Sequence, residues 1–349
     1  MKRSLSLLLI LVLLMSCAVL FAGCSEEEDA EYPVTIGEVT VTQEPKNVVV
    51  LNDSFADIIA YMGYDTKLIA RSDECDQEFL SFFPSVGSTG SVTAASIVAT
   101  GADLVIADGT LGNDIRSELT KNGVTVVTLN PAKDLNSLKT LYTQLGTLLG
   151  GKNAGSKKAE RSYNSLINML GQYKTLPIGV VKTSVYLYLD ENAQLCTFTQ
   201  GSFEQQLYDY NGSVNILSHQ QEPQVVESEL RIGSPGYIFY DNDAVLEYLR
   251  SNESLMNLKA LREDMVCRIP LKNFYRYGTS CEQIINTMAA FLDVEPAERP
   301  ATADEATPDE VPDDAYDDWY DDDSDDWYDD SDDDWYEDDW SEDDWSDEG

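Results

Sequence analysis

Histidine is almost absent from this 349-residue chain, and its shortage excludes several kinds of chemistry. His219 is the single histidine, and it lies in the polar stretch 217–221. A site for bare zinc or manganese needs several histidines, and Ser-His-Asp or Cys-His catalysis needs a histidine base. Glycine-rich fingerprints for phosphates or dinucleotides are also missing. The sequence therefore predicts that the protein is not an enzyme and holds no intrinsic metal or cofactor.

Cysteine pairs with the spacing of a metal site are lacking as well. After the first 23 residues the cysteines are Cys24, Cys75, Cys196, Cys267 and Cys281. No two of them are separated by only two residues, so a thiolate metal site is not expected. The last four allow three disulfide pairings, and the sequence does not choose among them.

Positive charge is scarce: 23 Lys and Arg stand against 63 Asp and Glu, for a net charge of −40. Residues 301–349 alone hold 26 of the acids and no base, so residues 1–300 carry −14. Neither part has the patch of Lys and Arg that binding to the phosphates of a nucleic acid requires, so nucleic acid is excluded as a partner.

The first residues indicate export. Lys2 and Arg3 precede the apolar run 5–14, and small residues lead into Cys24, which is the layout of a signal peptide over residues 1–23. The stretch 21–24 resembles a bacterial lipobox, in which the cysteine is lipidated and becomes the mature N-terminus. A polar linker over 24–36 follows. Cys17 is a weaker candidate for the lipidated residue, and ordinary secretion is the alternative. No later segment is long enough for a membrane-spanning helix.

From residue 37 onwards, short β-branched runs alternate with helical periods, which predicts parallel βαβ units. The sequence predicts strands at 48–51, 67–70, 104–107 and 125–129, and helices at 54–62, 94–100, 113–122 and from a cap at Asp134 onwards. We therefore expect an N-terminal α/β lobe over 37–152. A helix over 153–175, about 30 Å long, would connect it to a C-terminal α/β lobe over 176–293.

An ordered set of phrases resembles the class III substrate-binding proteins of ABC importers. The resemblance covers roughly residues 33–293 and rests on Pro45-Lys46-Asn47-Val48-Val49-Val50-Leu51, Lys67-Leu68-Ile69-Ala70-Arg71-Ser72-Asp73, Pro84-Ser85-Val86-Gly87, Ala102-Asp103-Leu104-Val105-Ile106 and Gly123-Val124-Thr125-Val126-Val127. It implies two lobes that move little, with a ligand in the cleft between them. It implies an iron chelate such as a ferric siderophore, haem or a cobalamin-like corrinoid as that ligand. For a haem ligand, His219 is the candidate axial residue, and a solvated histidine in a surface loop is the alternative.

The same resemblance implies an ABC permease and ATPase as partners, docked through one acidic residue on each lobe. On the C-terminal lobe, Glu227 or Glu229 fits the expected place. On the N-terminal lobe the expected place falls near Ala95, where no acid is present. The alternative is therefore a surface lipoprotein of the same fold that acts as a sensor, scavenger or adhesin without a transporter.

Ligands of open α/β sheets bind outside the carboxyl ends of the strands, so the loops that follow strands are the candidate site. The candidate ligand-binding residues are Asn52, Arg71, Ser72, Asp73, Asp108, Thr110, Gln200, Tyr240, Asp241, Tyr275, Arg276 and Tyr277. The loop at 274–277 combines flat aromatic faces with a guanidinium, which suits a conjugated ligand with acidic groups. The alternative is that Phe274 and one of the tyrosines pack in the core and that Arg276 forms an exposed ion pair. Arg71 could likewise only pair with Asp73 or Asp76.

The segment 294–349 is an acidic tail in which all five tryptophans of the protein lie, three of them at intervals of eight residues. Its charge density predicts a disordered, expanded segment. A solubilising or spacing role is the simpler interpretation. The regular tryptophans also suit contact with a cationic partner.

Overall fold

The protein is described by a computed structural model over residues 30–174 and 181–297. The predicted signal peptide, Cys24, the end of the connecting segment and the acidic tail from residue 298 onwards lie outside these residues. Among the described helices, none combines the length and the apolar character needed to cross a membrane.

A four-stranded parallel sheet organises the N-terminal lobe. In chain order the elements are β1 (Val34–Ile36), β2 (Val39–Val41), β3 (Val48–Val50), α1 (Asp53–Tyr61), β4 (Leu68–Arg71), α2 (Ala94–Val98), β5 (Leu104–Ala107), α3 (Asn113–Lys121), β6 (Thr125–Thr128) and α4 (Leu135–Gly150). The strand order is β4-β3-β5-β6, with every neighbouring pair parallel. The antiparallel hairpin β1–β2 precedes the sheet. It begins before residue 37, where the sequence places the start of this lobe.

A second sheet organises the C-terminal lobe. Its elements are α5 (Ser156–Lys174), β7 (Thr183–Leu189), β8 (Leu195–Cys196), α6 (Phe203–Tyr208), β9 (Val214–Asn215), α7 (Glu227–Gly233), β10 (Tyr237–Tyr240), α8 (Asp243–Ser251), α9 (Lys259–Arg262), β11 (Val266–Arg268) and α10 (Thr279–Phe291). The strand order is β11-β10-β7-β8, and β9 also pairs with β7. The predicted α/β fold with two lobes and a long connecting helix is confirmed, and α5 is that helix.

Glycines allow a sharp corner between α4 and α5. Gly151 has φ +91°, and residues Gly151–Gly155 form a single wide turn between the two helices. The helices then pack closely, since a Cβ atom on Gly146 would lie 2.5 Å from the Cβ of Ala159. Side chains at these positions would force the helices apart.

The largest hydrophobic cluster runs through both lobes without a break. It contains Phe55 and Ile58 of α1, Tyr142 of α4, and Ile284 and Met288 of α10. Because these side chains are buried together, the helices α1, α4 and α10 join the lobes through one shared core. This packing agrees with the limited lobe movement that the resemblance implies.

All four cysteines in the described residues are free thiols. Cys75, Cys196 and Cys281 are buried, and Cys267 is half-buried. None of the three disulfide pairings that the sequence allows is therefore formed.

Candidate functional site

A cleft between the lobes lies at the carboxyl ends of the strands. Its volume is about 490 Å³, within the size range of small-molecule sites. Its lining residues are Asn52, Asp53, Ser54, Pro131, Ala132, Lys133, Ser202, Phe203, Glu204, Tyr275 and Tyr277. The first six follow β3 and β6 in the N-terminal lobe, and the others belong to the C-terminal lobe. We call this space the interlobe cleft.

A smaller cavity of about 220 Å³ lies at the opposite edge of the N-terminal sheet. It is lined by residues that precede β3, β5 and β6, among them Glu44, Pro45 and Asp103. Ligands of parallel sheets collect at the carboxyl ends of strands, so the interlobe cleft is the better candidate site.

Aromatic side chains form one wall of the interlobe cleft. Tyr277 is buried and packs on Phe203, with their ring centroids 4.9 Å apart. Tyr275 is 42% exposed and faces the carboxylate of Glu204. Burial, and then this carboxylate, raise the pKa of Tyr275 to about 12. The hydroxyl of Tyr275 therefore stays protonated at neutral pH and engaged with Glu204, and the ring offers a ligand its flat face.

Arg276 lies beside the cleft but is bound to the other lobe. Its side chain is only 4% exposed, and its Nε donates to Asp53 Oδ2 at 2.9 Å. Its Nη2 atom pairs with the carboxylate of Asp76 and also donates to the carbonyl oxygen of Glu74. Lys272 pairs with the same carboxylate of Asp76. The guanidinium thus joins the lobes in this structure.

A second polar contact between the lobes lies deeper. The fully buried carboxylate of Asp57 in α1 accepts hydrogen bonds from Gly278 N at 2.7 Å and Ser280 Oγ at 2.7 Å, at the start of α10. Burial raises the pKa of Asp57, while the hydrogen bonds from Ser280 and Gly278 act in the opposite direction. Tyr142 donates to the carbonyl oxygen of Tyr277 at 2.7 Å. A side chain of one lobe therefore caps a helix of the other.

The three predicted residues after β3 and β5 lie together. Asn52 caps α1 by accepting from Phe55 N at 3.1 Å, and its Nδ2 donates to Asp108 Oδ2 at 2.9 Å. Asp108 also accepts from the backbone and the hydroxyl of Thr110. Asn52 lines the interlobe cleft, whereas Asp108 and Thr110 are not among its lining residues.

The predicted residues after β4 are held within the N-terminal lobe. Arg71 donates to the carbonyl oxygens of Leu80 and Ser72. Ser72 is fully buried and donates to Leu51 O, and Asp73 accepts from the hydroxyl of Ser85. None of the three lines the interlobe cleft.

In the C-terminal lobe, Gln200, Tyr240 and Asp241 also lie outside the cleft lining. Tyr240 is buried in the core around β10. Asp241 accepts from Leu271 N at 2.7 Å and so holds the loop that carries Tyr275. Gln200 is an exposed residue bound to Gln221.

The two predicted docking glutamates both lie at the start of α7. Glu227 accepts from Tyr248 and Asn252, which hold it against the lobe. Glu229 is exposed and pairs with His219 at 3.2 Å. Ala95 is an exposed residue of α2. No group of three or more potential metal ligands occurs among the described residues.

Several cleft residues were not predicted from the sequence. Phe203 and Glu204 begin α6, behind the cap Ser202, and Lys133 lies just before α4. The predicted helix cap at Asp134 points to Lys133, because residues at a helix start that follows a strand lie at the carboxyl edge of the sheet. Lys133 is the only basic side chain among the lining residues.

Solved structures of several periplasmic binding proteins share this fold. A periplasmic haem-binding protein from Pseudomonas aeruginosa matches with a TM-score of 0.57 and 18% identity, over 73% of this chain and 96% of its own. The haem-binding protein HutB of Vibrio cholerae matches with a TM-score of 0.59 and 14% identity, over 70% and 98%.

The vitamin B12-binding protein BtuF of Vibrio cholerae matches with a TM-score of 0.51 and 19% identity, over 71% of this chain and 97% of its own. No protein-family model and no curated protein sequence matches the chain. The chain therefore shares the fold of these periplasmic binding proteins, which is the fold that the resemblance of the sequence phrases implies.

Proposed function

We propose that the protein is a solute-binding lipoprotein on the outer face of the cell membrane, anchored at Cys24, that delivers its ligand to an ABC permease. The interlobe cleft carries this proposal: it is an open space of ligand size, lined by both lobes. The solved structures with the same fold are described as binding haem or vitamin B12. We propose the same broad ligand class here, an iron chelate, haem or a corrinoid.

The residues that we assign to ligand binding are the predicted Asn52, Tyr275 and Tyr277, together with Phe203 and Lys133. The aromatic wall suits the face of a flat or macrocyclic ligand, and Lys133 provides one positive charge for a carboxylate on its edge. Arg276, which the sequence also favours as a ligand donor, already bonds to Asp53 and Asp76. Any ligand contact from Arg276 requires part of this network to open.

A thermal-shift panel on the whole mature chain tests the ligand class. The compounds are haem, cobalamin, cobinamide and ferric siderophores. At 100 times its Kd a ligand adds about 2.7 kcal/mol, which raises Tm by roughly 5–10 °C in a protein of this size. An extrinsic dye serves as readout, because the tryptophans all lie in the tail. A panel without any shift contradicts this ligand class and favours the surface lipoprotein without a transporter.

A matched pair of variants localises binding. Tyr275→Ala removes the partly exposed ring in the cleft, and we expect at least about a tenfold weaker affinity from the loss of its apolar and aromatic contact. Phe82→Ala removes a ring that is 90% exposed and absent from the cleft lining, and it should leave the affinity unchanged. Equal effects of both changes would place the ligand elsewhere.

Docking to a permease is tested at the start of α7. Glu229→Lys reverses an exposed charge while leaving the bonds of Glu227 in place. It should reduce ligand-stimulated ATP hydrolysis by the reconstituted importer by about tenfold or more, because the repulsion of like charges is added to the loss of a pair. An unchanged rate, given the absence of an acid near Ala95, would favour the function without a transporter.

A further inference from the structure

The interlobe cleft contains charged side chains without an ionic partner among the described residues. Its lining includes the charged residues Asp53, Lys133 and Glu204. The carboxylate of Asp53 is bound by Arg276. Within residues 30–174 and 181–297, Lys133 and Glu204 form no ion pair, either with each other or with another side chain. The cleft therefore offers a ligand a positive charge from the N-terminal lobe and a negative charge from the C-terminal lobe.

The start of α6 places Glu204 in the aromatic wall of the cleft. The hydroxyl of Ser202 accepts from Gln205 N at 3.1 Å and so fixes the first turn, to which Glu204 belongs. Glu204 is half-buried, and its carboxylate accepts from the hydroxyl of Tyr275. Burial raises the pKa of Tyr277, and the charge of Glu204 raises it further, so the phenol of Tyr277 also lies close to this carboxylate.

The carboxylate of Glu204 keeps most of its capacity to accept hydrogen bonds. An ionised carboxylate has about four acceptor positions, and the hydroxyl of Tyr275 occupies one of them. Half-burial removes part of the water around the charge, and a nearby opposite charge offsets this cost. Aromatic rings attract a cation through their faces and are the surroundings in which quaternary ammonium ligands are bound. Glu204, Tyr275 and Tyr277 together therefore suit a positively charged group.

A structural role alone does not account for this arrangement. An acid in the first turn stabilises a helix through the helix dipole, and Glu204 contributes in this way to α6. That effect is as large at an exposed position and needs no aromatic neighbours. Charged side chains are rarely buried, even in part, without a partner, so the position of Glu204 in the cleft points to a ligand.

We propose that the ligand carries a cationic group, such as a protonated amine, that binds against the carboxylate of Glu204 and the ring of Tyr275. This inference rests on the proposed function and narrows its ligand class. Positively charged iron chelates and corrinoids are favoured over haem, whose propionates are anionic. The net charge of −14 on residues 1–300 acts in the same direction, because it attracts cations from solution.

A matched pair of ligands tests the charge alone. Ferrioxamine B is a ferric hydroxamate chelate that ends in a free amine, which is protonated at pH 7. Acetylation of that amine removes the charge and leaves the chelate unchanged. The Kd of each ligand for the mature chain, residues 24–349, is obtained from the dependence of Tm on ligand concentration, with an extrinsic dye. This readout counts only binding that favours the folded state, so cations that the acidic tail holds in both states do not contribute.

We expect ferrioxamine B to bind about tenfold or more tightly than its acetylated form, because it gains a charge-assisted hydrogen bond and a contact with an aromatic face. In Glu204→Gln the two ligands should have nearly equal Kd values. Glu118→Gln removes an exposed acid of α3 that is absent from the cleft lining, and it should keep the wild-type ratio. Because both ligands are measured on the same variant, a change in its stability does not affect the ratio.

Equal Kd values for the two ligands in the wild-type protein would overturn the inference, and so would a ratio that Glu204→Gln leaves unchanged. In either case the binding of both chelates would leave the proposed function in place. If neither chelate binds, hydroxamate chelates are removed from the proposed ligand class, and a second measurement decides the cationic site.

The second measurement uses probes without a metal. Benzyltrimethylammonium and the neutral benzyl alcohol are added at millimolar concentrations and constant ionic strength, and Tm is recorded. The inference requires a rise in Tm with the cation that exceeds the rise with the alcohol and that Glu204→Gln abolishes but Glu118→Gln retains. A cation that leaves the wild-type Tm unchanged, or that stabilises Glu204→Gln equally, would overturn it.

Discussion

Arg276 offers the sharpest test of how the lobes are joined. Its guanidinium is 4% exposed and contacts two carboxylates of the other lobe, Asp53 and Asp76. Substitution with methionine keeps much of the side-chain volume but removes the charge and the donors. The carboxylate of Asp53, whose side chain is 25% exposed, is then left without its cation.

The expected loss of unfolding free energy follows from how deeply each member of the ion pairs is buried. Removal of one member of a fully buried ion pair costs about 3–5 kcal/mol, because the other charge stays buried and unpaired. Here the side chain of Asp76 is 46% exposed, so water solvates its carboxylate once the guanidinium is removed. We therefore expect Arg276→Met to lower the free energy of unfolding by about 2–3 kcal/mol. In a protein of this size that corresponds to a Tm lower by roughly 5–10 °C.

Lys272 provides the matched control, since it pairs with the same carboxylate of Asp76 but is 53% exposed. Lys272→Met should cost at most about 0.5 kcal/mol, as exposed pairs contribute little. Both variants are measured by urea unfolding at pH 7 with circular dichroism. If Arg276→Met costs no more than Lys272→Met, the buried network does not join the lobes as we describe.

Further predictions concern the contacts between the lobes and one loop. Asp57→Ala leaves three buried donors of α10 without an acceptor and should cost about 2–3 kcal/mol in urea unfolding, whereas no loss would mean that water replaces the carboxylate. Gly278→Ala places a Cβ atom 2.5 Å from the carbonyl oxygen of Asp57 and should cost about 1–3 kcal/mol, while Gly171→Ala, in open space on α5, should gain about 0.5–1 kcal/mol. Burial of Glu74 acts to raise its pKa, but hydrogen bonds from the 88–89 loop outweigh it and lower the pKa to about 2. The ionised carboxylate of Glu74 therefore stabilises the fold fully above pH 4.5, and this contribution is lost as the pH falls towards 2. Glu74→Gln should make the free energy of unfolding, measured by urea at each pH, fall less steeply between pH 4.5 and 2.

The elements that the sequence predicts best are those with a strong local signal. The helix from residue 135 has an apolar stripe and the cap Asp134, and it forms with Asp134 accepting from Ser137 N. The buried strand β5 forms over the predicted residues. The hairpin β1–β2 and the strands β8 and β9 were not predicted, because strands of two or three residues are too short to show a local periodicity.

The candidate site was predictable at the level of loops and less so at the level of side chains. Asn52, Tyr275 and Tyr277 do line the interlobe cleft. Arg276 lies in the same loop, but its side chain turns to Asp53 of the other lobe, a contact between residues 223 positions apart. Sequence spacing cannot reveal such a contact, since it exists only after both lobes have formed.

The core shared by both lobes has a consequence for the proposed delivery of a ligand to a permease. Proteins that close around a ligand report occupancy by a change of shape, which a partner can read at a distance. Here α1, α4 and α10 share one core, and Asp57 caps a helix of the opposite lobe, so the empty and the filled protein should have nearly the same outline. In the proposed function, the permease therefore recognises the bound ligand itself, whose exposed edge would complete the surface at the mouth of the cleft.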